Sequence, residues 1–384
     1  MERNICGISV IVPIYYGKKY ISAMIAQIES CARHIDLDVT VELILVNDAP
    51  DDLLDVTMES EWIDIVVLNM DMNYGIQGAR VSGLDVCKGE YVVFLDQDDL
   101  ISPEYLKSQL FAIGDCDACV CRAIHEGRQY YDEVRVFEQE VTKKCMLERG
   151  CSIVSPGQVL IKKEAISQIW KQNFLEHNGA DDWLLWLCMI GEGKKFALNQ
   201  EVVFEHVVDG TNTSCNMAKM MASEDDVYKV LSQVGLLSED ELCMLHKTIR
   251  NVQLKRFSIM DKFKKQFFVY DTWMSLESRG LTIGDHLIDS GYRKVAIYGY
   301  GFLGKQLLGR LRNCELEVSY VLDRNAKYLD CEVPILTMDD SLPSVDAVIV
   351  TMIDGEKDVV DKLQRILGVD IMTLRGVLGG MQGR

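Results

Sequence analysis

Lys88-Gly89-Glu90-Tyr91-Val92-Val93-Phe94-Leu95-Asp96-Gln97-Asp98-Asp99 places a turn, a strand and an acidic cluster in one continuous stretch. Residues 91–95 read as a strand. In open α/β sheets, ligands bind beyond the carboxyl ends of the strands, which is where Asp96, Asp98 and Asp99 fall. Carboxylates this close repel one another unless a cation or protons relieve them. Hard oxygen ligands suit Mg²⁺ or Mn²⁺, with substrate phosphates completing the shell. Read alone, the same residues also fit a solvated loop before a helix N-terminus, where Asp is favoured.

The rest of the first 123 residues supplies the layers such a strand needs. Residues 8–14 form a continuous apolar, β-branched run, the mark of a strand buried on both faces, and 41–46, 63–68 and 118–123 read as further strands. Ile21, Met24, Ile25, Ile28 and Cys31 are spaced as one helix face. Residues 76–86 read as a helix, and Pro103 opens another with Ser102 as its N-cap. The β-α-β alternation predicts an α/β fold with a mainly parallel sheet and helices on both faces. Asp48, following residues 41–46, is a second acid at a strand end. Residues 124–215 are less regular and hold a helix at 183–190, just after Asp181-Asp182. Residues 216–290 are mostly helical, and Tyr292 begins a new α/β unit. The expected organisation is therefore 1–215, 216–290 and 291–384, in keeping with two or three domains for 384 residues.

Composition narrows the function. The net charge of −19 weighs against general binding to nucleic acid or anionic membrane, although a local basic patch can override it. No nucleic-acid partner is expected. No apolar run reaches the roughly 18 residues of a membrane span. The start of the chain lacks a basic region before residues 8–14, which are too short for a signal sequence. Thirteen cysteines, an odd number without framework spacing, fit a reducing cytoplasm.

Four segments then occur in a recognisable order: Ile8-Ser9-Val10-Ile11-Val12-Pro13-Ile14-Tyr15-Tyr16-Gly17; Glu42-Leu43-Ile44-Leu45-Val46-Asn47-Asp48; Asn73-Tyr74-Gly75-Ile76-Gln77-Gly78-Ala79-Arg80; and the stretch from Lys88 to Asp99. Together they resemble the family 2 glycosyltransferases over about the first 215 residues. The resemblance implies a GT-A fold, an α/β domain that binds a nucleotide-sugar donor, UDP-linked, with Mn²⁺ or Mg²⁺. It implies that Pro13 and Tyr15 line the base pocket, Tyr15 against the uracil face, a suitable place for an aromatic ring. Asp48 would accept from the uracil N3–H, and Asp96 would lie near the ribose. Asp98 would be the main metal ligand, with Asp99 nearby. Arg80 would pair with phosphate or brace the carboxylates. The sequence departs from the family at Tyr16, where Asn is usual, at Ala49-Pro50, where Gly-Ser is usual, and at Val81, another Asn position.

Gly179-Ala180-Asp181-Asp182-Trp183 resembles the family's Glu-Asp motif. Inverting transfer needs one base to take the acceptor's proton, and Asp182 is favoured, with Asp181 the alternative. N-terminal capping of the following helix is the competing structural role. Trp183 and Trp186, at i and i+3, have core spacing, though one could form a platform for a sugar ring. His206, six residues before Asn212, is a candidate neighbour of the metal or diphosphate, or a structural histidine. The acceptor implied by the family is a glycan or lipid-linked glycan in surface polysaccharide synthesis.

Near the end, residues 294–298 read as a strand followed by Gly299-Tyr300-Gly301-Phe302-Leu303-Gly304 and a helix, a GxGxxG in strand-turn-helix context. Asp323 lies at the end of the next strand, where a Rossmann acid binds ribose. This predicts a Rossmann-like domain and a candidate second nucleotide site at Gly299, Gly301, Gly304 and Asp323, for NAD(P) or a sugar nucleotide. A packing or homo-oligomer assembly role fits equally. Residues 246–268 interleave Lys and Arg with Phe, Ile and Met, as in a basic amphipathic helix, which suggests either peripheral contact with the inner face of a membrane or packing between domains. Cys116, Cys119 and Cys121 lack a His-rich partner at finger spacing and do not favour zinc. Two rival functions are a sugar-nucleotide-modifying enzyme built on the Gly299 loop and a non-catalytic glycan-assembly module.

Overall fold

The computed structural model describes residues 6–35, 39–125, 127–130, 134–208, 216–312 and 314–382. The chain divides into two units, 1–254 and 255–384, with the boundary inside one long helix. In the first unit the strands are β1 (Cys6–Ile14), β2 (Val39–Asn47), β3 (Asp64–Asn69), β4 (Tyr91–Phe94), β5 (Leu100–Ile101), β6 (Ala118–His125), β7 (Arg128–Tyr130), β8 (Val159–Lys162) and β9 (Phe196–His206). The helices between and after them are α1 (Ile21–Arg33), α2 (Gly75–Val86), α3 (Tyr105–Ile113), α4 (Val134–Glu140), α5 (Lys143–Arg149), α6 (Gln168–Gln172), α7 (Asp181–Gly191), α8 (Met217–Val234) and α9 (Glu239–Ser278).

The apolar runs are strands with a core on each face. Ile8, Val10, Val12 and Ile14 of β1 pack with Met24, Ile25 and Ile28 of α1. Ile11 turns the other way, into the cluster that holds Ala79 and Leu84 of α2 and Trp186 of α7. β4 divides likewise, with Val92 and Phe94 on one side and Val93 on the other. Successive side chains alternate between faces, so a strand sandwiched between two helical layers is apolar on both, and two buried polar exceptions, Ser9 of β1 and Glu42 of β2, bond to each other.

Among the described residues the sheet order is β3-β2-β1-β4-β8-β6-β9-β5, with β7 paired to β6. The strands from β3 to β4 are parallel, as the alternation predicts. Beyond β4 the sheet is mixed, which corrects the expectation of a mainly parallel one: β8 is antiparallel to both neighbours, and β5 runs against β9. Of these strands, β7, β8 and β9 come from the irregular region after residue 123, where no crossover helix enforces parallel pairing. Ser102 is not an N-cap. Its carbonyl accepts from Tyr105 N–H at 3.0 Å in a turn, and Glu104 occupies the cap position. The helix predicted at 183–190 begins at Asp181, so the acidic pair forms its first turn.

In the second unit, α10 (Ile283–Asp289) precedes β10 (Lys294–Tyr298), α11 (Phe302–Leu311), β11 (Glu317–Leu322), β12 (Ile335–Leu336), β13 (Ala347–Val350), α12 (Glu356–Ile366), β14 (Asp370–Thr373) and α13 (Leu374–Gln382). The sheet is parallel throughout, in the order β12-β11-β10-β13-β14. Its first strand lies at the centre, flanked by the second and fourth, a doubly wound arrangement.

Candidate active site

β1 pairs in parallel register with β2 (Ile14 opposite Asn47) and with β4 (Ile11 opposite Phe94), so their carboxyl ends open at one edge. Asp48 N–H donates to Ile14 O at 2.8 Å, and Leu95 N–H donates to Ile11 O at 3.0 Å. The loops after these strands surround a cavity of about 610 Å³. Pro13, Tyr15, Asp48, Arg80, Asp96, Asp98, Asp181, Asp182 and His206 all line it. Nine residues singled out in the sequence, from six separated segments, thus come together at one cavity.

At one end of the cavity Asp48 is buried and accepts from Tyr74 N–H at 2.7 Å. Burial raises its pKa, and the Tyr74 and Gly75 amides act against the rise. The Tyr15 ring is 53% exposed and meets Tyr16 edge-on, at 4.6 Å between centroids. Tyr16 has φ +49°, in the left-handed region, which Asn enters more readily than a bulky residue. Its hydroxyl bonds both Asp51 oxygens at 2.9 Å, tying the loop after β1 to the loop after β2. The usual Asn would fit this backbone without strain, and the departure noted in the sequence thus has a structural compensation.

Arg80 is the keystone of the carboxylates. It is only 2% exposed, and its two terminal nitrogens donate to Asp181 Oδ2 and Asp96 Oδ1, each at 2.6 Å. Burial opposes its charge, but Asp181, Asp96 and Asp182 outweigh that and hold the guanidinium protonated. Two glycines make this convergence possible. Gly75 opens α2 at φ +76°, and Asn178 Oδ1 lies 2.5 Å from where its Cβ would sit. Gly179 has φ +140°, and a Cβ there would meet Met220 Sδ at 2.3 Å.

Asp98 lines the cavity, and its pKa is pushed up to about 6, by burial first and then by Asp96 and Asp99. Asp99, grouped with it as a ligand on sequence grounds, lies buried behind the wall. It accepts from Ser155 Oγ at 2.7 Å, bonds His206 Nδ1 at 2.8 Å and accepts from Val207 N–H at 3.2 Å. Both its oxygens are engaged, so it orients His206. The bond leaves Nε2 as the histidine's remaining ring nitrogen, the arrangement usual for a metal-bound imidazole. Burial works against protonation of His206, but the Asp99 contact prevails and raises its pKa. The ring stacks on His125 at 5.2 Å. Asn212, whose spacing from His206 entered the sequence reading, lies outside the described residues. An acidic residue whose proton affinity rises through burial and through crowding by other carboxylates, beside an oriented imidazole, is a donor set that fits a divalent cation.

Asp182 sits in the first turn of α7 and accepts from Trp183 N–H at 2.7 Å. Its pKa is pushed up to about 7, by burial first and then by Asp181, with Arg80 opposing. Trp183 and Trp186 are buried in the core and offer no platform to a sugar. Cys119 and Cys121 are also core residues, their thiols pushed up by burial.

Sequence reasoning missed Gln97, Ser155, Asn178 and Lys219, which also line the cavity. Gln97 Oε1 accepts from Tyr15 N–H at 3.1 Å and joins the two strand-end loops. Lys219, in the first turn of α8, makes no ion pair among the described residues. Neither carries a local pattern that would single it out. In the second unit, Gly299 has φ +94°, and a Cβ on Gly304 would lie 2.0 Å from Gly299 O. Gly301 faces open space. Asp323 accepts from Tyr300 N–H at 2.8 Å and from Asn325 N–H at 2.9 Å, so both its oxygens serve the local turns.

Residues 9–170 match the family model "Glycosyl transferase family 2". The chain is 24% identical over 234 residues to UDP-Glc:alpha-D-GlcNAc-diphosphoundecaprenol beta-1,3-glucosyltransferase WfaP of Escherichia coli, covering 58% of this chain and 86% of WfaP. It is 26% identical over 159 residues to an undecaprenyl-phosphate 4-deoxy-4-formamido-L-arabinose transferase of Pseudomonas savastanoi pv. phaseolicola, covering 38% and 46%. For three of the curated relatives it matches, the chain spans only 38%, 46% and 23% of their length. Among solved structures it is similar to S. aureus TarS 1–349 in complex with UDP-GlcNAc, with TM-score 0.45, 16% identity and coverage of 63% and 71%. The mixed sheet agrees with the GT-A fold expected from the sequence, and the stretch that matches the family model, residues 9–170, runs from β1 past β8.

Proposed function

We propose that this chain is a metal-dependent, inverting glycosyltransferase that moves a sugar from a UDP-linked donor to a hydroxyl of a lipid-linked glycan. The observation that carries the reading is the meeting of Asp48, Asp96, Asp98, His206 and Asp182 around one cavity. Asp48 accepts from the uracil N3–H, and the exposed Tyr15 ring packs against the base. Asp96, fixed by Arg80, faces the ribose. Asp98 and His206 would hold Mn²⁺ or Mg²⁺, with Asp99 as a positioning residue behind the histidine. When bound, the metal supplies charge stabilisation to the departing diphosphate. Lys219 is placed to add a cation at the same leaving group.

Asp182 takes the proton of the acceptor hydroxyl as that oxygen bonds to the anomeric carbon and the carbon–diphosphate bond breaks on the opposite side. Asp181 is the weaker candidate for base because its Oδ2 is already held by Arg80. A carboxylate with pKa near 7 is matched to proton transfer at neutral pH. The lipid-linked acceptor is supported by WfaP, whose name specifies a diphosphoundecaprenol acceptor. Such an acceptor implies work in the cytoplasm at the inner face of a membrane.

The second unit is read as Rossmann-like, supported by its strand order and the Gly299–Gly304 turn. A nucleotide there, NAD(P) included, would approach Gly301, and Asp323 would have to release an amide to reach a ribose. Release of UDP from a panel of UDP-sugars, with and without Mn²⁺ and with a lipid-linked acceptor, tests the main reading.

A further inference from the structure

α9 is buried at both ends. Leu245 and Ile249 enter the core of the first unit, and Val269, Trp273 and Leu276 enter that of the second. Between them, within the second unit, Phe257, Ile259, Met260, Phe263, Phe267 and Phe268 are all exposed, Phe263 and Phe267 by 65% and 63%. At about 100° per residue these six fall on roughly one half of the helix circumference. Lys255, Lys262 and Lys265 fall on the other half, while Arg256 and Lys264 interrupt the apolar side. Among the described residues Lys255, Lys262 and Lys264 have no acidic partner, whereas Lys265 pairs with Asp261 and Asp354. The chain as a whole carries −19, so this cationic stretch runs against its overall composition.

We propose that residues 255–268 of α9 are a membrane-docking element that lies in the interface of an anionic bilayer. Charge selects this occupant. An apolar strip alone would suit any greasy partner, but unpaired lysines beside it match lipid phosphates. Aromatic and aliphatic side chains enter the headgroup–acyl boundary. The long stem of Lys264 lets its charge reach the phosphate level from within the apolar side. No helix of the described residues is long and apolar enough to cross a membrane, and a lipid-linked acceptor has to be met at the bilayer surface. Docking to lipid rests on the residues of α9, and the lipid-linked acceptor of the proposed function adds only a reason for it, since lipid binding needs neither donor nor acceptor. The two can therefore fail separately.

The test is sedimentation of the full chain with vesicles of equal parts phosphatidylglycerol and phosphatidylcholine, compared with pure phosphatidylcholine. Binding is expected to the anionic vesicles and to weaken with salt. Lys255→Gln, Lys262→Gln and Lys264→Gln together should weaken it on the order of a hundredfold, at about one Lys contribution each. Phe263→Ser with Phe267→Ser should weaken it about tenfold or more. All five sites are exposed, and unchanged circular dichroism and melting temperature would confirm folded variants. Wild-type protein left in the supernatant with both vesicle types would overturn the proposal. So would variants that bind as well as wild type, or a wild-type dimer in light scattering that the Phe variants dissolve, which would assign the strip to a second copy of the chain.

Discussion

Arg80 holds Asp181 at 2.6 Å across 101 residues of sequence, and both side chains are buried. The bond couples α2 to the first turn of α7 and, through Asp96 on the other guanidinium nitrogen, to the end of β4. Removing one partner of such a network leaves buried charge uncompensated. Arg80→Met should therefore lower stability by about 3–5 kcal/mol, measured by urea unfolding. Arg80→Lys should recover only part, because an ammonium cannot span two carboxylates as a planar fork does.

The division of labour in the acidic pair follows from the same bond. Asp182→Asn should lower kcat by about 10²-fold or more with UDP affinity near normal. Asp181→Asn should lower the unfolding midpoint as well, because it loosens Arg80. If Asp181→Asn alone removed the chemical step while Asp182→Asn remained active, the base assignment would shift by one residue.

A base must be deprotonated to act. Asp182 is pushed up to about 7, so it carries a proton below that pH and kcat should fall about tenfold per unit as pH drops further. The acid limb of a kcat–pH profile should centre near 7 and disappear in the residual activity of Asp182→Asn. Asp98, pushed up to about 6, should make metal affinity decline below that pH, since proton and cation compete for the same oxygens. Metal titration by calorimetry at several pH values measures this.

Much of the site was legible because motif residues sit at strand ends, and strands announce themselves. The runs at Ile8, Val41 and Tyr91 are apolar because two helical layers cover them, and whatever follows each run opens at the same edge. The mixed half of the sheet was not legible. β8 is four residues long and takes its direction from neighbours far off in sequence. Asp99 could not be told from Asp98 by spacing, since what separates them is burial beneath Ser155 and His206. Lys219 and Gln97 reach the cavity through tertiary placement alone.

The glycines of the second unit make opposite predictions. A Cβ at Gly304 would press on the Gly299 carbonyl, while one at Gly301 meets nothing. Gly304→Ala should destabilise this unit by about 1–3 kcal/mol, seen as faster hydrogen exchange in residues 294–311. Gly301→Ala should leave that exchange unchanged.

In the proposed reaction, Asp98 and a divalent cation activate a nucleotide-sugar in the cavity shared with Asp182. The most direct measurement is UDP release from UDP-sugars by the wild type and by Asp98→Asn, with Mn²⁺ and after chelation. The wild type should release UDP with Mn²⁺, stop on chelation and resume when Mn²⁺ returns, and Asp98→Asn should release none. Transfer that persists undiminished in chelator, or an Asp98→Asn protein as active as wild type, would contradict the proposed reaction.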